Sequence, residues 1–232
     1  MRASALRRGL DGMGQGLCGF AILLALPLAA VQLLTLFAAL DARSALPALL
    51  AALLGVLAAD AVTGLVHWAC DTWGDEQTPY FGPSLIRAFR EHHRDPRAML
   101  EHDWIEVNRE PAIAATAALL LLLLPGAQRA LEGHAALQAF LCFFIAYSAL
   151  ANQLHRWSHV PRPPLAVRGL QRCGLILSPT RHARHHRAPY IGAYCISTGW
   201  LNPVLDLAGF WRLLERGVTR FTGIPPRDGS RR

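Results

Sequence analysis

Residues 17–40 read LCGFAILLALPLAAVQLLTLFAAL, a run of 24 amino acids without a single charge. A helix rises 1.5 Å per residue, so this run would extend about 36 Å, enough to cross the roughly 30 Å hydrocarbon core of a bilayer. It is too long for the apolar region of a signal peptide, and no convincing cleavage site follows it. We therefore expect a retained membrane helix. The alternative, a soluble protein with very apolar core helices, rarely needs so long an uncharged run.

Three further apolar segments predict membrane-spanning helices, at residues 45–68, 111–125 and 135–154. The third of the four spans is the shortest, and it could be tilted, re-entrant or extended upstream. The predicted fold class is thus all-α, a polytopic membrane protein with about four transmembrane helices. The predicted divisions of the chain are an N-terminal segment (1–16), a membrane domain (17–215) and a basic, disordered tail (216–232).

The composition agrees with a membrane protein and excludes several other classes. Of the 232 residues, 53% are hydrophobic and 17% are charged, which excludes a disordered or fibrous chain. The net charge is +7, and all 23 basic residues are arginine. Beside such apolar runs, the anionic partner indicated by this charge is a membrane surface rather than nucleic acid. The five cysteines are odd in number and form no CxxC pair, which argues against a disulfide scaffold or a cysteine-type zinc site.

The arginines predict the orientation of the chain in the membrane. They are concentrated before the first span, in the polar segment 71–110 and after residue 155, whereas the turns 41–44 and 126–134 carry one each. The positive-inside rule then places both termini and the two long polar regions in the cytoplasm. We expect a multi-pass integral membrane protein, in the inner membrane if the source is bacterial.

Nine of the ten histidines are predicted to lie on that cytoplasmic side, and they fall into short strings. HH, HxxxH and HxxHH together, near the ends of apolar helices, indicate one site, because residues three or four apart share a helix face. The tenth, His134, lies alone in the opposite turn and is interpreted as a solvated loop residue. The candidate metal ligands are His67, His92, His93, His102, His155, His159, His182, His185 and His186.

The chemistry that requires such a set is metal binding by neutral imidazole. One catalytic zinc takes about three protein ligands, which leaves too many histidines unexplained. Two metals with four or five nitrogens each would use about eight to ten, which indicates iron and oxygen chemistry, although ligand type alone does not decide. One or two of the nine are expected only to support the site. Expected acceptors for the second ring nitrogens are Asp60, Asp71, Asp95 and Asn152.

Four strings resemble a known family. They are HWACDTWG at 67–74, FREHHRDP at 89–96, NQLHRWSH at 152–159 and HARHHRAP at 182–189, and the segment YCISTGWLN at 194–202 is similar too. The resemblance is to the lipid desaturases that include plasmanylethanolamine desaturase, the bacterial CarF and animal Kua proteins, and a plant chloroplast phosphatidylglycerol desaturase. It covers roughly residues 60–215.

This resemblance implies a membrane enzyme with two iron ions held by the histidines, which uses O2 and two electrons to desaturate a lipid chain. In the plasmanylethanolamine branch the 1-O-alkyl chain becomes a vinyl ether, as in plasmalogen biosynthesis, and animal members reside in the endoplasmic reticulum. In the plant branch a trans double bond forms in an acyl chain. The chain has no flavin, haem or reductase motif, so the electrons would come from an external donor of the cytochrome b5 or ferredoxin type.

The arginines beside the histidine strings allow two interpretations. Most fit the positive-inside signal and a general attraction to anionic lipid, whereas some could contact a phosphate or an acidic electron donor. Candidates for such contact are Arg87, Arg90, Arg184 and Arg187. Alternative functions are desaturation of an acyl chain on another phospholipid, lipid hydroxylation by a similar di-iron site, a zinc-dependent membrane hydrolase, and a non-enzymatic protein with structural metal.

Overall fold

The structure, a computed structural model, describes residues 2–227, and that part of the chain is helical with no β-strand. A π-helical turn, Gly82–Ile86, leads directly into the third α-helix. The α-helices in chain order are α1 (Arg2–Ala39), α2 (Ala45–Thr72), α3 (Arg87–Arg94), α4 (Ala98–Glu101), α5 (Trp104–Leu122), α6 (Pro125–Leu131), α7 (Ala135–His159), α8 (Leu165–Arg172), α9 (Pro179–His182), α10 (Asn202–Leu207) and α11 (Phe210–Thr222). The all-α prediction is therefore confirmed.

The chain divides into two compact units. The first comprises the chain up to Ala59 together with His102–Asn152, and the second comprises Asp60–Glu101 and the chain from Gln153 onward. Helices α2 and α7 each begin in the first unit and end in the second. Of the nine histidines predicted as ligands, all except His102 therefore belong to the second unit.

The core of the first unit consists of two clusters of apolar side chains. Leu28 of α1 packs with Ala115 and Leu119 of α5 and with Ile145 of α7. A second cluster joins α1, α2 and α7 through mostly small residues, which let helix backbones approach closely in a membrane protein. Its members are Leu36, Ala48, Ala52 and Ala139. Many large apolar side chains on the same helices remain exposed, as expected where lipid rather than protein covers them.

At Gly55 the backbones of α2 and α7 lie close together. A Cβ atom placed on Gly55 would overlap the backbone carbonyl oxygen of Phe140 and lie 3.0 Å from the nitrogen of Phe144. Both neighbours are backbone atoms, so a side chain at this position can be accommodated only if the two helices separate.

Two of the four predicted spans are confirmed by length and composition. Ala45–Thr72 and Ala135–His159 are long and apolar enough to cross a membrane, and each extends beyond its predicted end. The third predicted span, 111–125, lies mostly in α5, which begins upstream at Trp104 and ends at Leu122; α6 follows after a 78° bend. If this bent pair is one span, the count rises to three.

The first predicted span, 17–40, lies in the continuous helix α1 except for its last residue, Leu40. The side chains of residues 17, 18, 21 and 22 lie outside the described part of the structure. The apolar segment that remains, Leu23–Ala39, is shorter than the roughly 20 residues needed to cross a bilayer. The described residues therefore contain two to three candidate spans, by length and composition, and the fourth stays a prediction.

The C-terminal part of the second unit is more ordered than the sequence suggested. A disordered tail was expected from residue 216, but α11 continues to Thr222 and ends at Gly223, whose φ of 72° suits a helix C-terminus. The helix is amphipathic: Trp211 is buried in a cluster with Trp68, Tyr194 and Cys195. That burial explains the helix, since packing of one face stabilises helices that local propensity alone would not. Residues 228–232 of the expected tail lie outside the described residues.

We expect Gly55→Ala to destabilise the first unit, because a methyl group would push α2 away from the Phe140 carbonyl. The cost of such overpacking is about 1–3 kcal/mol. The measurement is the thermal midpoint of the detergent-solubilised protein. Gly126→Ala in α6 is the matched control, since nothing lies within 4 Å of its added Cβ. Equal midpoints for the two variants would contradict the close helix approach.

Candidate metal centre

The second unit collects its histidines from four separate stretches of chain. The end of α2 carries His67, and Asp71 lies one helical turn later on the same face. Helix α3 carries His92 and His93, and the last turns of α7 carry the pair His155 and His159. The remaining three, His182, His185 and His186, belong to α9 and the turn that follows it.

Local sequence signals explain why the fourth of these stretches, which contains α9, has its shape. The side chain of Ser178 accepts a hydrogen bond from the backbone N–H of Arg181 at 3.3 Å, and Pro179 occupies the first helical position. Both are features of a helix N-terminus, since proline loses nothing there and serine satisfies a free donor. The short helix α9 therefore begins at a defined residue, which directs His182 into the interior, where it is buried.

Five imidazoles converge in what we call the five-histidine group, which consists of His92, His155, His159, His182 and His186. Four of their Nε2 atoms form a closed ring of short contacts. The distances are 2.9 Å from His155 to His92, 2.8 Å from His155 to His182, 2.8 Å from His182 to His186, and 3.0 Å from His186 to His92.

These distances match nitrogen ligands of a single metal ion. Two nitrogens bound at about 2.0–2.1 Å, at right angles about the ion, are about 2.8–3.0 Å apart. The Nδ1 atoms of His92, His155, His182 and His186 are buried without a hydrogen-bond partner, and so is the Nε2 atom of His159. A neutral imidazole has one N–H, so the ring leaves several lone pairs facing each other unless a cation lies between them. The donor set therefore fits a transition-metal ion.

A second set, which we call the carboxylate group, consists of His67, Asp71, His93 and His185. The Oδ2 atom of Asp71 lies 3.3 Å from Nε2 of His67, 3.1 Å from Nε2 of His93 and 3.6 Å from Nε2 of His185. The Nε2 atoms of His93 and His185 are 3.2 Å apart. Three nitrogens and one carboxylate oxygen thus point at a common centre, which also fits a divalent metal.

The backbone fixes the orientation of two imidazoles in the carboxylate group. The Nδ1 of His67 lies 3.1 Å from the carbonyl oxygen of Tyr194, and the Nδ1 of His185 lies 2.8 Å from that of Gly192. A carbonyl oxygen only accepts, so each Nδ1 donates and each Nε2 is left with its lone pair for a ligand bond. This arrangement orients metal-binding histidines in many proteins.

Asp60 supports the segment that supplies those carbonyls. Its buried Oδ1 accepts hydrogen bonds from the backbone N–H groups of Ser197, Thr198 and Gly199 at 2.8–3.1 Å. Its Oδ2 accepts from the Thr198 hydroxyl at 3.0 Å. Asp60 was expected to accept a hydrogen bond from a histidine ring. In the structure it accepts instead from the backbone of residues 197–199 and so supports the histidines indirectly.

Two residues that the sequence analysis did not single out hold the same segment. The Asn202 side chain bonds both the N–H and the carbonyl of Cys195, at 2.9 and 3.0 Å. The Asp206 carboxylate accepts from the N–H of Ala193 at 3.0 Å and from the Trp211 indole at 3.2 Å. The string YCISTGWLN already contained Asn202, but nothing in its spacing indicates this role.

Three predicted residues, His102, Asp95 and Asn152, lie outside both groups. The Nδ1 of His102, which is 41% exposed, faces Glu106 at 2.9 Å, one turn into α5. Asp95 ends α3 and accepts from the N–H of Arg97. Asn152 donates to the carbonyl of Val107 at 2.8 Å.

Asp71, expected to accept from a ring, instead turns its oxygen toward three Nε2 atoms, and its HxxxD spacing after His67 is a signal for that role.

Burial keeps several of these imidazoles in the neutral form that binds metal. Removal from water lowers the pKa of His92 to about 2, and repulsion from neighbouring histidines acts in the same direction. Burial also lowers the pKa of His185 and of His186 to about 4, although Asp71 partly opposes the effect at His185. The pKa of His182 is lowered for the same reason. Near pH 7 these side chains are neutral and present lone pairs.

Comparisons with known proteins agree with the site. Residues 56–229 match the lipid desaturase domain family. The chain is 44% identical over 179 residues to plasmanylethanolamine desaturase of Myxococcus xanthus, covering 77% of this chain and 63% of that protein. It is 40% identical to plasmanylethanolamine desaturase 1 of Mus musculus, with coverages of 75% and 65%, and 36% identical to the chloroplastic fatty acid desaturase 4 of Arabidopsis thaliana, with coverages of 82% and 57%. The match thus spans less than two thirds of each relative, and no solved structure matches.

Removing one ligand from either group should remove one metal ion. We expect about two ions per chain in the wild type, and about one in His155→Ala and in Asp71→Ala, because each group supplies four or five donor atoms. Elemental analysis of purified protein measures this ratio. His134→Ala, an exposed loop position outside both groups, is the control and should keep both ions. Full metal content in both ligand variants would refute the assignment.

Proposed function

The chain belongs to the lipid desaturase family, and from that premise we propose that it is an O2-dependent membrane desaturase that makes a vinyl ether. Its substrate would be plasmanylethanolamine, as the names of the relatives from Myxococcus xanthus and Mus musculus indicate for those proteins. In this reaction the 1-O-alkyl chain loses two hydrogens. One O2, two electrons and two protons are consumed, and two water molecules form.

The observation that supports this proposal is the presence of two adjoining donor groups in one unit. Their imidazoles interleave: ring centroids are 6.1 Å apart for His92 and His93, and 5.8 Å apart for His182 and His185. His92 and His93, which are adjacent in sequence, belong to different groups, and so do His185 and His186. Such a pair of sites suits two metal ions working together, whereas a hydrolytic zinc site needs about three ligands and an open position.

In this proposal the side chains bind the metal ions and exclude water from them. Eight imidazoles and the Asp71 carboxylate would bind the ions, and burial of His67, His155 and His185 excludes bulk water from them. When bound, a pair of iron ions supplies the oxygen-dependent oxidation that hydrogen removal from a methylene requires, which no acidic or basic side chain can provide. The carbonyls of Gly192 and Tyr194 keep two of the rings in ligating orientation.

Iron, O2 and an external electron donor are parts of the proposal. The donor set is rich in imidazole, which suits iron, zinc and copper alike, so the family membership favours iron. A donor of the cytochrome b5 or ferredoxin type would provide the electrons. A hydroxylase with the same ligands would differ only in its product.

A second candidate substrate is an acyl chain. The Arabidopsis thaliana relative is named a fatty acid desaturase, and it shares 36% identity over 193 residues with this chain. Either lipid would present a C–C bond to the same metal-binding site. The ligand residues therefore do not distinguish an ether chain from an acyl chain.

The proposed membrane arrangement has four spans with the histidines on the cytoplasmic side. The arginine distribution supports it, because the short turns that carry Arg43 and Arg129 would lie across the bilayer. The helices Ala45–Thr72 and Ala135–His159 end beside the metal-binding residues, so both would place their C-terminal ends on one side.

Lipid mass spectrometry on a plasmalogen-free host that expresses this chain tests the activity. We expect vinyl ether lipids from the wild type after feeding an alkyl glycerol precursor, and none from His92→Ala, His159→Ala or His182→Ala, because each loses a ligand. His134→Ala should match the wild type. A hydroxylated or acyl-desaturated product would replace the proposed reaction, and wild-type activity with about one zinc and no iron would exclude it.

Sidedness can be tested with a membrane-impermeant maleimide. We expect Cys173, which is exposed in the second unit, to react only when the cytoplasmic face is accessible. In a Cys173→Ser background, His134→Cys should react only from the opposite face. Labelling of both positions from one face would contradict the arrangement.

A further inference from the structure

A cavity of about 350 Å³ opens beside the carboxylate group. Asp71 and His93, both members of that group, form part of its wall. Three arginines, Arg90, Arg94 and Arg227, line it as well. The cavity therefore joins a strongly basic surface to one of the two metal-binding groups.

Two of these arginines are held by the backbone that follows α2. The Nη2 of Arg90 donates to the carbonyl of Trp73 at 3.2 Å and also to that of Gly74. The backbone N–H of Arg227 donates to the carbonyl of Thr72 at 2.9 Å, and the Trp73 indole donates to Ile224 at 3.3 Å. Residues 224–227, which follow α11, are thus hydrogen-bonded to the end of α2, next to Asp71.

The described lining of the cavity contains three arginines and one carboxylate, that of Asp71. Arg94 pairs with Glu76 at 3.0 Å, at the exposed edge. Arg90 and Arg227 line the same cavity, so their positive charges lie beside the same space. Asp71 directs its Oδ2 atom at the histidines, and a cation held there would compensate its charge. Like charges held together beside an open cavity favour an anionic ligand.

We propose that this cavity binds the phosphate of a phospholipid headgroup, with Arg90 and Arg227 as its principal contacts and Arg94 at its rim. Guanidinium groups offer paired donors that match phosphate oxygens. The proposal rests on the proposed function, since it concerns the substrate of the same site. Of the four arginines singled out in the sequence, Arg90 lines the cavity, whereas Arg87, Arg184 and Arg187 do not.

The location explains which part of a lipid would meet the metal-binding groups. In a glycerophospholipid only the glycerol backbone separates the phosphate from the first carbons of the chain at position one. A phosphate held against Arg90 and Arg227 therefore brings those first carbons, rather than the middle of the chain, toward Asp71 and His93. The size of the cavity suits a headgroup, and the Tyr190 ring, 5.0 Å from that of His93, adds an apolar wall for the glycerol region.

Native mass spectrometry of the full chain in detergent tests the proposal without turnover. The probes are a diacyl phosphatidylethanolamine, the matching diacylglycerol that lacks phosphate, and inorganic phosphate alone. We expect the wild type to retain phosphatidylethanolamine in preference to diacylglycerol. Arg227→Gln should weaken retention of the phospholipid about tenfold and leave diacylglycerol unchanged, because a charge-assisted contact to phosphate is lost.

Arg220→Gln is the matched control, since it makes the same charge change on the exposed surface of α11 and does not line the cavity. It should behave like the wild type. Arg90→Gln should also weaken phospholipid retention, and Arg227→Gln remains decisive if that variant fails to fold, because the Arg227 backbone keeps its bond to Thr72.

Equal retention of phosphatidylethanolamine by Arg227→Gln and Arg220→Gln would overturn the proposal. So would binding of inorganic phosphate alone in an Arg227-dependent manner, with phospholipid retention unaffected. Loss of the proposed function has a different signature: phospholipid would still be retained through Arg227, but no unsaturated product would form from any lipid.

Discussion

The structure of the second unit depends on the close approach of neutral imidazole nitrogens. Four Nε2 atoms lie 2.8–3.0 Å from their neighbours in a buried ring, where water cannot separate them. Without a shared cation, several of these contacts would set lone pairs against each other or leave donors unsatisfied. Because the four rings come from α3, α7, and α9 with the turn that follows it, binding one ion would fix the relative positions of these three segments. Metal binding and folding of this unit should therefore be coupled.

A single face of α2 connects that centre to its supporting backbone. Asp60, His67 and Asp71 follow one another at intervals of seven and four residues, so they share a face. Asp60 anchors residues 197–199 through their N–H groups, and the same segment begins with the carbonyl that orients His67. A buried carboxylate is tolerated only when several donors compensate it, as they do here. The loop and the helix thus fix each other's position around the ligands.

Much of the site could be predicted from sequence because the ligands occur in local patterns. HxxxH and HxxHH place side chains on one face or in one turn, and eight of the nine predicted ligand histidines do converge in the two donor groups. The allocation between groups could not be predicted, since His92 and His93, adjacent in sequence, serve different groups. Nor could the role of His102, whose partner Glu106 lies in the first turn of the helix that follows it, α5. The hydrogen bond from the Cys195 backbone to Asn202 could not be predicted either, because the segment between them has no repeating pattern of hydrophobic residues that would indicate its conformation. The length of α11 was missed because its arginines suggested a solvated tail, whereas burial of Trp211 decides its structure.

The two donor groups are not equivalent, and the difference bears on where a substrate would approach. The five-histidine group surrounds its centre with imidazoles, of which His92, His155 and His182 are buried. The carboxylate group has one donor fewer and borders the cavity through Asp71 and His93. An ion with fewer protein ligands keeps positions open, and a carboxylate among its ligands offsets more of its charge than another imidazole would. Arg90 and Arg227 stand on the same side as that less enclosed group. The placement of ligands and the placement of positive charge therefore favour the same route of access; for the proposed phospholipid substrate, the headgroup would lie at the arginines and the first carbons of the chain near Asp71.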